Sequence, residues 1–300
     1  MQWRGNSTPQ MLLPDLNWKT VTGGAPSSNS HSCAITDNND LYCWGKNRYG
    51  EVGTGESNSY YSNPVMIAAN VNKVDVNRTQ TCAIINNGYL YCWGESYGNE
   101  PQQIGTSNNW NEISILNTHK CGIKNNGNLY CWGGNSHGEL GVGDTINKSE
   151  PTKVGDFTDW NKISVGRNDF SCGIRDNGKL YCWGRNNYGQ LGLEDIGPDA
   201  LVTTPQQVGT FTDWDEVYID GSTTYAIRDG KLYSWGQIKM GKFNLYEIKT
   251  EPQRIGTATN WNKTSSYCGI RDHKLNCWSN ASGIPLGLQT YYPNTPQKVE

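Results

Sequence analysis

The ten cysteines are the residues whose spacing most clearly indicates chemistry. They form four pairs that lie ten positions apart and a fifth pair that lies nine positions apart. A zinc site needs short Cys-x-x-Cys-like spacings that converge, and the chain has none. Disulfides are therefore favoured, while unbonded core thiols remain the alternative because reduced cysteine packs well in an apolar interior. The pairs are Cys33/Cys43, Cys82/Cys92, Cys121/Cys131, Cys172/Cys182 and Cys268/Cys277.

A short turn between the two members of each pair supports the disulfide hypothesis. The turn Asn125-Asn-Gly127 predicts a hairpin with glycine in the left-handed conformation. It places Cys121 opposite Cys131 at a non-hydrogen-bonded position, where Cα atoms are about 4.5 Å apart. In a fifth copy of the pattern, Tyr225 and Ser234 replace both cysteines together, as bonded partners predict.

Five disulfides indicate an oxidising compartment, so we expect an extracellular or cell-surface protein. Asn-x-Ser/Thr sequons fit that location and are candidate glycosylation sites, although an asparagine-rich chain also produces them by chance. The sequons begin at Asn6, Asn77, Asn147, Asn262 and Asn280.

Two motifs resemble catalytic or phosphate-binding sequences. The segment 134–138 matches G-x-S-x-G, but no strand-to-helix turn is expected there. The segment 236–242 approximates a phosphate loop, but Phe243 stands where a magnesium-binding Ser or Thr is needed, and we interpret both segments as repeat loops. The histidines are scattered without metal or triad spacing: His31, His119, His137 and His273. We therefore predict no enzyme activity, no catalytic residue, no metal site and no cofactor.

Charge and hydrophobicity exclude two classes of partner. The net charge of −3 and the absence of a basic tail give no attraction to nucleic acid. No segment approaches the roughly 20 apolar residues that a membrane-spanning helix requires, so no membrane insertion is expected.

Tryptophans mark the elements that must position the cysteines. One set lies in a Leu-Tyr-Cys-Trp-Gly segment or a variant of it, at Trp44, Trp93, Trp132, Trp183, Trp235 and Trp278. A second set opens a short apolar strand, at Trp18, Trp110, Trp160, Trp214 and Trp261. A proline-led strand completes each module of roughly 50 residues, which therefore contains four short strands. Regular four-stranded units without helical periodicity predict an all-β fold, a β-propeller.

The segments His31–Gly53 and Ser171–Gly192 resemble the repeat of the regulator of chromosome condensation family. The resemblance covers residues 17–300 and implies a β-propeller, usually of seven blades. The cysteine-containing version is similar to bacterial secreted or surface proteins more than to the nuclear founder. We predict a partial seventh repeat or closure strand at residues 1–16 and six complete repeats, at about 17–67, 68–104, 105–154, 155–208, 209–255 and 256–300.

Function is expected in the loops between the Trp-Gly strand and the proline strand, since propellers carry their binding residues on loops. Aromatic and acidic residues there are candidate partner contacts, the alternative being that the tyrosines only pack the loops onto the rim. These candidates are Tyr49, Tyr60, Tyr61, Tyr188, Asp195, Asp199, Tyr291 and Tyr292.

The predicted function is a non-enzymatic protein-interaction or structural propeller whose partners are proteins, copies of itself included. An incomplete blade would leave a strand edge open to pairing between chains. The resemblance implies two alternatives: a guanine-nucleotide exchange factor for a Ran-like GTPase, as in the family's founder, and a secreted protein inhibitor, as in its β-lactamase-inhibiting propellers.

Overall fold

The chain is described by a computed structural model that divides it into two compact units, Met1–Asn126 and Gly127–Glu300. The structure describes residues 13, 15–23, 30–116, 118–194, 201–240, 245–264, 268–272, 274–277 and 297–298, without the side chains of 239, 240, 245, 268, 269, 274–277, 297 and 298.

The first unit contains two four-stranded antiparallel sheets and a further strand pair. The sheets have the orders β1-β2-β3-β4 and β5-β6-β7-β8, and β9 pairs with β10. The strands are β1 (Trp18–Gly23), β2 (His31–Thr36), β3 (Leu41–Asn47), β4 (Ser59–Ala68), β5 (Val71–Val76), β6 (Gln80–Ile85), β7 (Tyr89–Gly94), β8 (Gly98–Gln103), β9 (Trp110–Ile115) and β10 (His119–Lys124).

The second unit contains one antiparallel strand pair, β11 with β12, and three four-stranded sheets in which each strand neighbours the next along the chain. The strands are β11 (Leu129–Gly133), β12 (Lys148–Lys153), β13 (Trp160–Gly166), β14 (Phe170–Arg175), β15 (Leu180–Arg185), β16 (Leu201–Gln207), β17 (Trp214–Asp220), β18 (Thr223–Arg228), β19 (Lys231–Met240), β20 (Leu245–Arg254), β21 (Trp261–Thr264), β22 (Cys268–Arg271), β23 (Lys274–Cys277) and β24 (Gln297–Lys298).

The predicted all-β fold of four-stranded antiparallel sheets is confirmed. The described part of the chain contains strands and turns but no helix, and so no helix with the length and apolar character to cross a membrane. The repeat boundaries stay predictions, and most of the proposed partial repeat, residues 1–12 and 14, lies outside the described residues.

The two strands of each central hairpin pair in the register that the length of their turn predicts. Gly178 has a φ of 70°, and Asn39 takes the same left-handed conformation at 63° where the first turn lacks glycine. Cys172 then lies opposite Cys182, and Tyr225 opposite Ser234 behind a shorter turn. Register is thus set by the turn and does not need the sulfur bond.

The cysteines at these opposed positions are bonded and fully buried. Cα atoms are 4.1 Å apart in the disulfides Cys33–Cys43, Cys82–Cys92 and Cys172–Cys182. Cys121 in the first unit and Cys131 in the second each take part in a disulfide. The backbone places Cys268 opposite Cys277, but their side chains lie outside the described residues, so this last bond stays a prediction.

Two tryptophans of the second set pack against an arginine, Trp214 against Arg228 and Trp261 against Arg271. Arg228 lies with its guanidinium carbon 3.5 Å from the centre of the Phe211 ring and 5.9 Å from that of Trp214. Asp213 accepts hydrogen bonds from Nε and Nη2 of the same arginine, at 2.5 and 3.1 Å. The planar guanidinium therefore binds a carboxylate at its edge while its face covers an aromatic ring.

Successive sheets are joined through these same turns. The Trp214 N–H donates to the Gly178 carbonyl oxygen at 3.0 Å, which links the β14–β15 turn to the start of β17. A Cβ on Gly178 would overlap the Thr212 carbonyl oxygen, so glycine is required there for close approach as well as for its φ. The Trp110, Trp160 and Trp261 N–H groups make the matching bonds to Gly88, Gly127 and Gly230.

Candidate functional site

Three loops that follow Trp-Gly strands share the pattern Asn-x-x-Gly-Glu/Gln-Val/Leu-Gly. We call residues 47–53, 135–141 and 186–192 the Asn–Gly loops. They contain two of the predicted contact residues, Tyr49 and Tyr188, and residues 135–138 of the G-x-S-x-G motif. Their local structure therefore decides which side chains remain available to a ligand.

The asparagine that opens each loop is buried and holds the loop backbone. Asn135 Oδ1 accepts from the Leu140 N–H at 3.0 Å, and Asn135 Nδ2 donates to the Asp144 and Ile146 carbonyl oxygens at 2.9 and 3.2 Å. Asn47 Oδ1 and Asn186 Oδ1 accept the matching bonds from Val52 and Leu191. A buried amide with satisfied donors and acceptor stabilises a fixed loop conformation.

The Glu or Gln at the fifth position joins the loop to the next sheet. Its side-chain oxygen accepts from the backbone N–H two residues earlier, as for Glu139 Oε2 with the His137 N–H at 2.8 Å. Its own carbonyl oxygen accepts from Trp183 Nε1 at 2.9 Å and from Ser171 Oγ at 2.8 Å. Glu51 makes the equivalent bonds to Trp93 and Thr81, and Gln190 to Thr224.

The tyrosines predicted to contact a partner differ in exposure and in hydrogen bonding. Tyr60 on β4 is 70% exposed and Tyr49 in the first Asn–Gly loop is 37% exposed, whereas Tyr188 at the matching position is half-buried. The Tyr61 hydroxyl is hydrogen-bonded to Thr54 Oγ1 at 2.9 Å and to Glu56 Oε2 at 2.8 Å, so it holds its own loop. Partner contact stays a prediction, and four of its candidates, Asp195, Asp199, Tyr291 and Tyr292, lie outside the described residues.

The G-x-S-x-G motif does not form a catalytic triad. Ser136 Oγ lies 3.1 Å from His137 Nδ1, and Asp169 Oδ2 lies 3.2 Å from the same nitrogen. A triad needs the serine and the carboxylate on opposite ring nitrogens, so that the base can accept one proton while the carboxylate orients the ring. The motif also ends in an Asn–Gly loop and not in a helix.

The absence of a metal site stays a prediction, and the structure places one histidine close to two carboxylates. One ligand atom each from His137, Glu139 and Asp169 lies within 4.8 Å of the others. Asp169 is 32 positions from His137 in the sequence, in the β13–β14 turn, and sheet packing brings the two together. Spacing along the chain carries no signal for such a contact.

Two other histidines are buried and structural. His31 Nε2 lies 2.6 Å from Thr81 Oγ1, and burial lowers the pKa of His31 to about 4. Burial likewise lowers the pKa of His119 to about 3, the charge of Lys120 contributing less. His273 lies outside the described residues.

Residues 236–242, the segment that approximates a phosphate loop, were predicted to form a repeat loop. This prediction is wrong for residues 236–240, the part that the structure describes. Gly236–Met240 continue β19, because this repeat lacks the Asn-x-x-Gly sequence that turns the chain elsewhere. Residues 241–244 lie outside the described residues. An extended strand directs alternate groups to opposite sides and does not present converging N–H groups to a phosphate.

The sequons differ in accessibility. Asn77 is 4% exposed and its Oδ1 accepts from the Thr79 and Gln80 N–H groups, so it lacks the exposure that glycosylation requires. Asn147 and Asn262 are exposed, and their modification stays a prediction. Asn6 and Asn280 lie outside the described residues.

A polar cleft of about 440 Å³ lies between the β14–β15 turn and the start of β17, with Arg175 and Trp214 in its wall. Arg175 is already paired with Asp159, through Nε at 2.7 Å and Nη2 at 3.0 Å. The cleft therefore offers aromatic and amide surface but no uncommitted arginine for an anionic ligand.

Comparisons with known proteins agree with the repeat structure. Two family models described as "Regulator of chromosome condensation (RCC1) repeat" match residues 27–51 and 160–190, and residues 126–172 and 177–219. The human X-linked retinitis pigmentosa GTPase regulator is 29% identical over 182 residues, 59% of this chain and 14% of that protein. The human E3 ubiquitin-protein ligase HERC2 is 27% identical over 227 residues, 74% of this chain and 4% of that protein. The chain thus spans a small part of these relatives.

Solved structures show the same fold. Human WBSCR16 has a TM-score of 0.79 at 16% identity, with 96% of this chain and 83% of that chain covered. Prp20p of Saccharomyces cerevisiae, described with its binding to Gsp1p and histones, has a TM-score of 0.75 at 19% identity, with 90% and 75% covered. The chain thus contains repeats of the regulator of chromosome condensation type, at residues 27–51 and 126–219, and has the β-propeller fold of these structural neighbours.

Proposed function

We propose that the chain is a non-catalytic protein-interaction module that works in an oxidising compartment, outside the cell or at its surface. The observation that carries the proposal is the set of buried disulfides, one across the central hairpin of successive repeats. Such bonds persist outside the reducing cytosol. RCC1-type propellers also provide a rigid frame on which loops of variable sequence bind proteins.

The partner surface that we propose lies in the first repeat. Tyr60 and Met66 project from β4, the edge strand of its sheet, where they are 70% and 50% exposed. Tyr49 lies in the Asn–Gly loop of the same repeat, beside Arg48, whose guanidinium carbon is 5.1 Å from the ring centre. Exposed Tyr, Met and Arg side chains are enriched in protein interfaces.

The compartment is tested by the thiol state of the protein as isolated from its native source. Thiols are blocked with a maleimide during lysis, and intact masses are compared before and after reduction. We expect described cysteine pairs such as Cys33/Cys43 to take up label only after reduction. Full labelling without reduction would overturn the oxidising-compartment part of the proposal.

The interaction surface is tested by photo-crosslinking in that same source. A photoreactive residue replaces Tyr60 in one variant and Ile146 in a control, since Ile146 has a similar exposure of 66% but lies on a different repeat. We expect a covalent adduct from position 60, identified by peptide mass spectrometry and removed by excess unlabelled protein. Equal adducts at both positions, or none, would contradict the assigned surface, and an adduct with the chain itself would identify self-assembly.

Guanine-nucleotide exchange is the competing function. Release of a fluorescent GDP from a Ran-type GTPase is measured with and without the oxidised chain. We expect no acceleration, because the proposed role is protein binding and not nucleotide exchange. Acceleration would overturn the proposal in favour of exchange.

A further inference from the structure

We propose that His137, Glu139 and Asp169 form a binding site for one divalent transition-metal ion, with zinc the best match to the ligands. The site lies where the second Asn–Gly loop meets the β13–β14 turn. It is independent of the surface around Tyr60 that the proposed function uses.

The geometry fits a small tetrahedral ion. His137 Nδ1 and Asp169 Oδ2 are 3.2 Å apart. Two ligand atoms about 2.0–2.2 Å from a tetrahedral zinc ion lie about 3.3 Å from each other. The three candidate ligand atoms lie within 4.8 Å of one another, so shifts of at most about 1.5 Å bring them to the separation that zinc requires.

Glu139 is a buried charge that a cation would stabilise. It is 1% exposed, and its carboxylate accepts a main-chain hydrogen bond from His137 at 2.8 Å. Among the described residues it forms no salt bridge with a lysine or arginine. Burial of an ionised carboxylate is costly unless a counter-charge or a metal compensates it.

The ligand types favour zinc over magnesium or calcium. Imidazole nitrogen and carboxylate oxygen are both zinc ligands, whereas magnesium and calcium take oxygen ligands almost exclusively. His137 and Asp169 are both partly exposed, so the ion has a route from solvent. Three protein ligands leave a fourth position for water.

The first and third Asn–Gly loops provide an internal comparison, because the three positions recur there without the histidine and the aspartate. The carbonyl oxygen of Asp169 accepts from the Arg185 N–H at 2.9 Å, and Ser222 accepts the same bond from Gln237 at 2.9 Å. Ser222 is therefore the structural equivalent of Asp169.

In the first unit, the Glu95 N–H donates the same bond to the Thr79 carbonyl oxygen, so Thr79 is the equivalent of Asp169 there. The first Asn–Gly loop then offers Tyr49, Glu51 and Thr79, and the third offers Tyr188, Gln190 and Ser222. The fold itself does not require His137 or Asp169, since the same loop forms with other residues at these positions.

The alternative is that His137 and Asp169 form only a hydrogen bond that closes the loop. The test uses untagged, oxidised protein, freed of metal with a chelator and dialysed. Zn²⁺ is then added in a calorimeter, and Co²⁺ binding is followed by visible absorption, which reports tetrahedral coordination. We expect one ion per chain.

Each loss-of-site variant introduces the residue found at the matching position of the third Asn–Gly loop or the turn that it meets. The variants are His137→Tyr, Glu139→Gln and Asp169→Ser. Each is expected to weaken Zn²⁺ binding by at least about tenfold. Glu150→Gln, which removes an exposed carboxylate on β12, is the matched control and should bind as the native chain does. Circular dichroism confirms that each variant is folded. No saturable binding, or equal binding by native chain and His137→Tyr, would overturn the proposal.

A gain-of-site variant makes the test independent of damage to the native site. Tyr188→His, Gln190→Glu and Ser222→Asp together place the three ligand types on the third Asn–Gly loop and the turn that it meets. We expect two ions per chain. A folded variant that still binds one ion would contradict the claim that these three positions define the site.

Discussion

Trp183 Nε1 donates a 2.9 Å hydrogen bond to the carbonyl oxygen of Glu139, a residue 44 positions earlier in the chain. The same oxygen accepts from Ser171 Oγ at 2.8 Å. An Asn–Gly loop therefore belongs covalently to one repeat and is hydrogen-bonded to the next. The Trp183 indole can approach the loop this closely because residue 141 is glycine. A Cβ at that position would lie 2.6 Å from Trp183 Nε1.

The first prediction concerns that bond. Trp183→Phe removes the N–H while keeping an aromatic ring in the core. Trp235 is the matched control, since it is equally buried but its Nε1 has no hydrogen-bond acceptor among the described residues. We expect Trp183→Phe to lower the free energy of unfolding by about 1 kcal/mol more than Trp235→Phe does. Equal losses in urea denaturation would show that the bond contributes nothing measurable.

The turn glycines give a second prediction. Gly178→Ala places a Cβ against the Thr212 carbonyl oxygen at a φ of 70°. Gly209 has a similar φ of 58° but open space around its Cα, so Gly209→Ala carries the backbone strain alone. We expect about 1 kcal/mol of destabilisation for Gly209→Ala and about 1–3 kcal/mol more for Gly178→Ala. Thermal unfolding measures both, and equal midpoints would refute the close-packing argument.

The hairpin registers and turn conformations could be predicted from the sequence, because they depend on local geometry. Turn length sets the register of each hairpin, so Cys172 opposite Cys182 and Tyr225 opposite Ser234 followed from counting residues. Asn39 in place of glycine kept a left-handed turn, because asparagine tolerates positive φ better than most residues.

Contacts between repeats could not be predicted in this way. The recurrence of Asn47, Asn135 and Asn186 is visible in the sequence, but the bonds of these loops to the next sheet depend on three-dimensional packing. The contact of His137 with Asp169 likewise has no periodic signal. The burial of Asn77 is also a property of its turn, and a sequon alone does not report it.

A third prediction concerns the disulfides. Cys172→Ala with Cys182→Ala opens a short loop in the unfolded chain, which in the loop-entropy account lowers the free energy of unfolding by about 2–3 kcal/mol. The variant should still fold, because Tyr225 and Ser234 occupy the same paired positions without a bond. Denaturation with and without a reductant measures the effect. The loss should nearly vanish when variant and native chain are compared in the reduced state, and a loss that persists there would indicate a packing effect.

The last prediction concerns Asp75, a half-buried carboxylate on β5 that is bonded to β1 and β9. Its Oδ1 accepts from the Val76 N–H at 2.9 Å and from the Thr22 hydroxyl at 3.4 Å, and its Oδ2 accepts from the Ile115 N–H at 2.7 Å. Burial raises the pKa of Asp75 to about 7, above the ordinary value of 3.8, despite these bonds. The folded state therefore holds the proton more tightly than the unfolded chain does.

The sign of the pH effect follows from this difference in pKa. The stabilisation from protonated Asp75 is fully present below about pH 4 and is lost as the pH rises through about 7, at up to about 1.4 kcal/mol for each pH unit. His31 and His119 act oppositely, because their lowered pKa values destabilise the folded chain as the pH falls below about 6.5. The native pH profile is thus a sum of opposing contributions.

Asp75→Asn isolates the carboxylate because it keeps the shape and removes the titration. Asparagine has one acceptor oxygen, so the variant loses one of the bonds to Val76 or Ile115 at every pH. We expect the native chain's advantage in unfolding free energy over the variant to fall steadily between about pH 4 and 7 and to be constant above. Urea denaturation at closely spaced pH values measures this difference. A flat difference would mean that Asp75 keeps an ordinary pKa in the folded chain, and a difference that rises with pH would mean that its pKa is lowered there; either result would contradict the prediction.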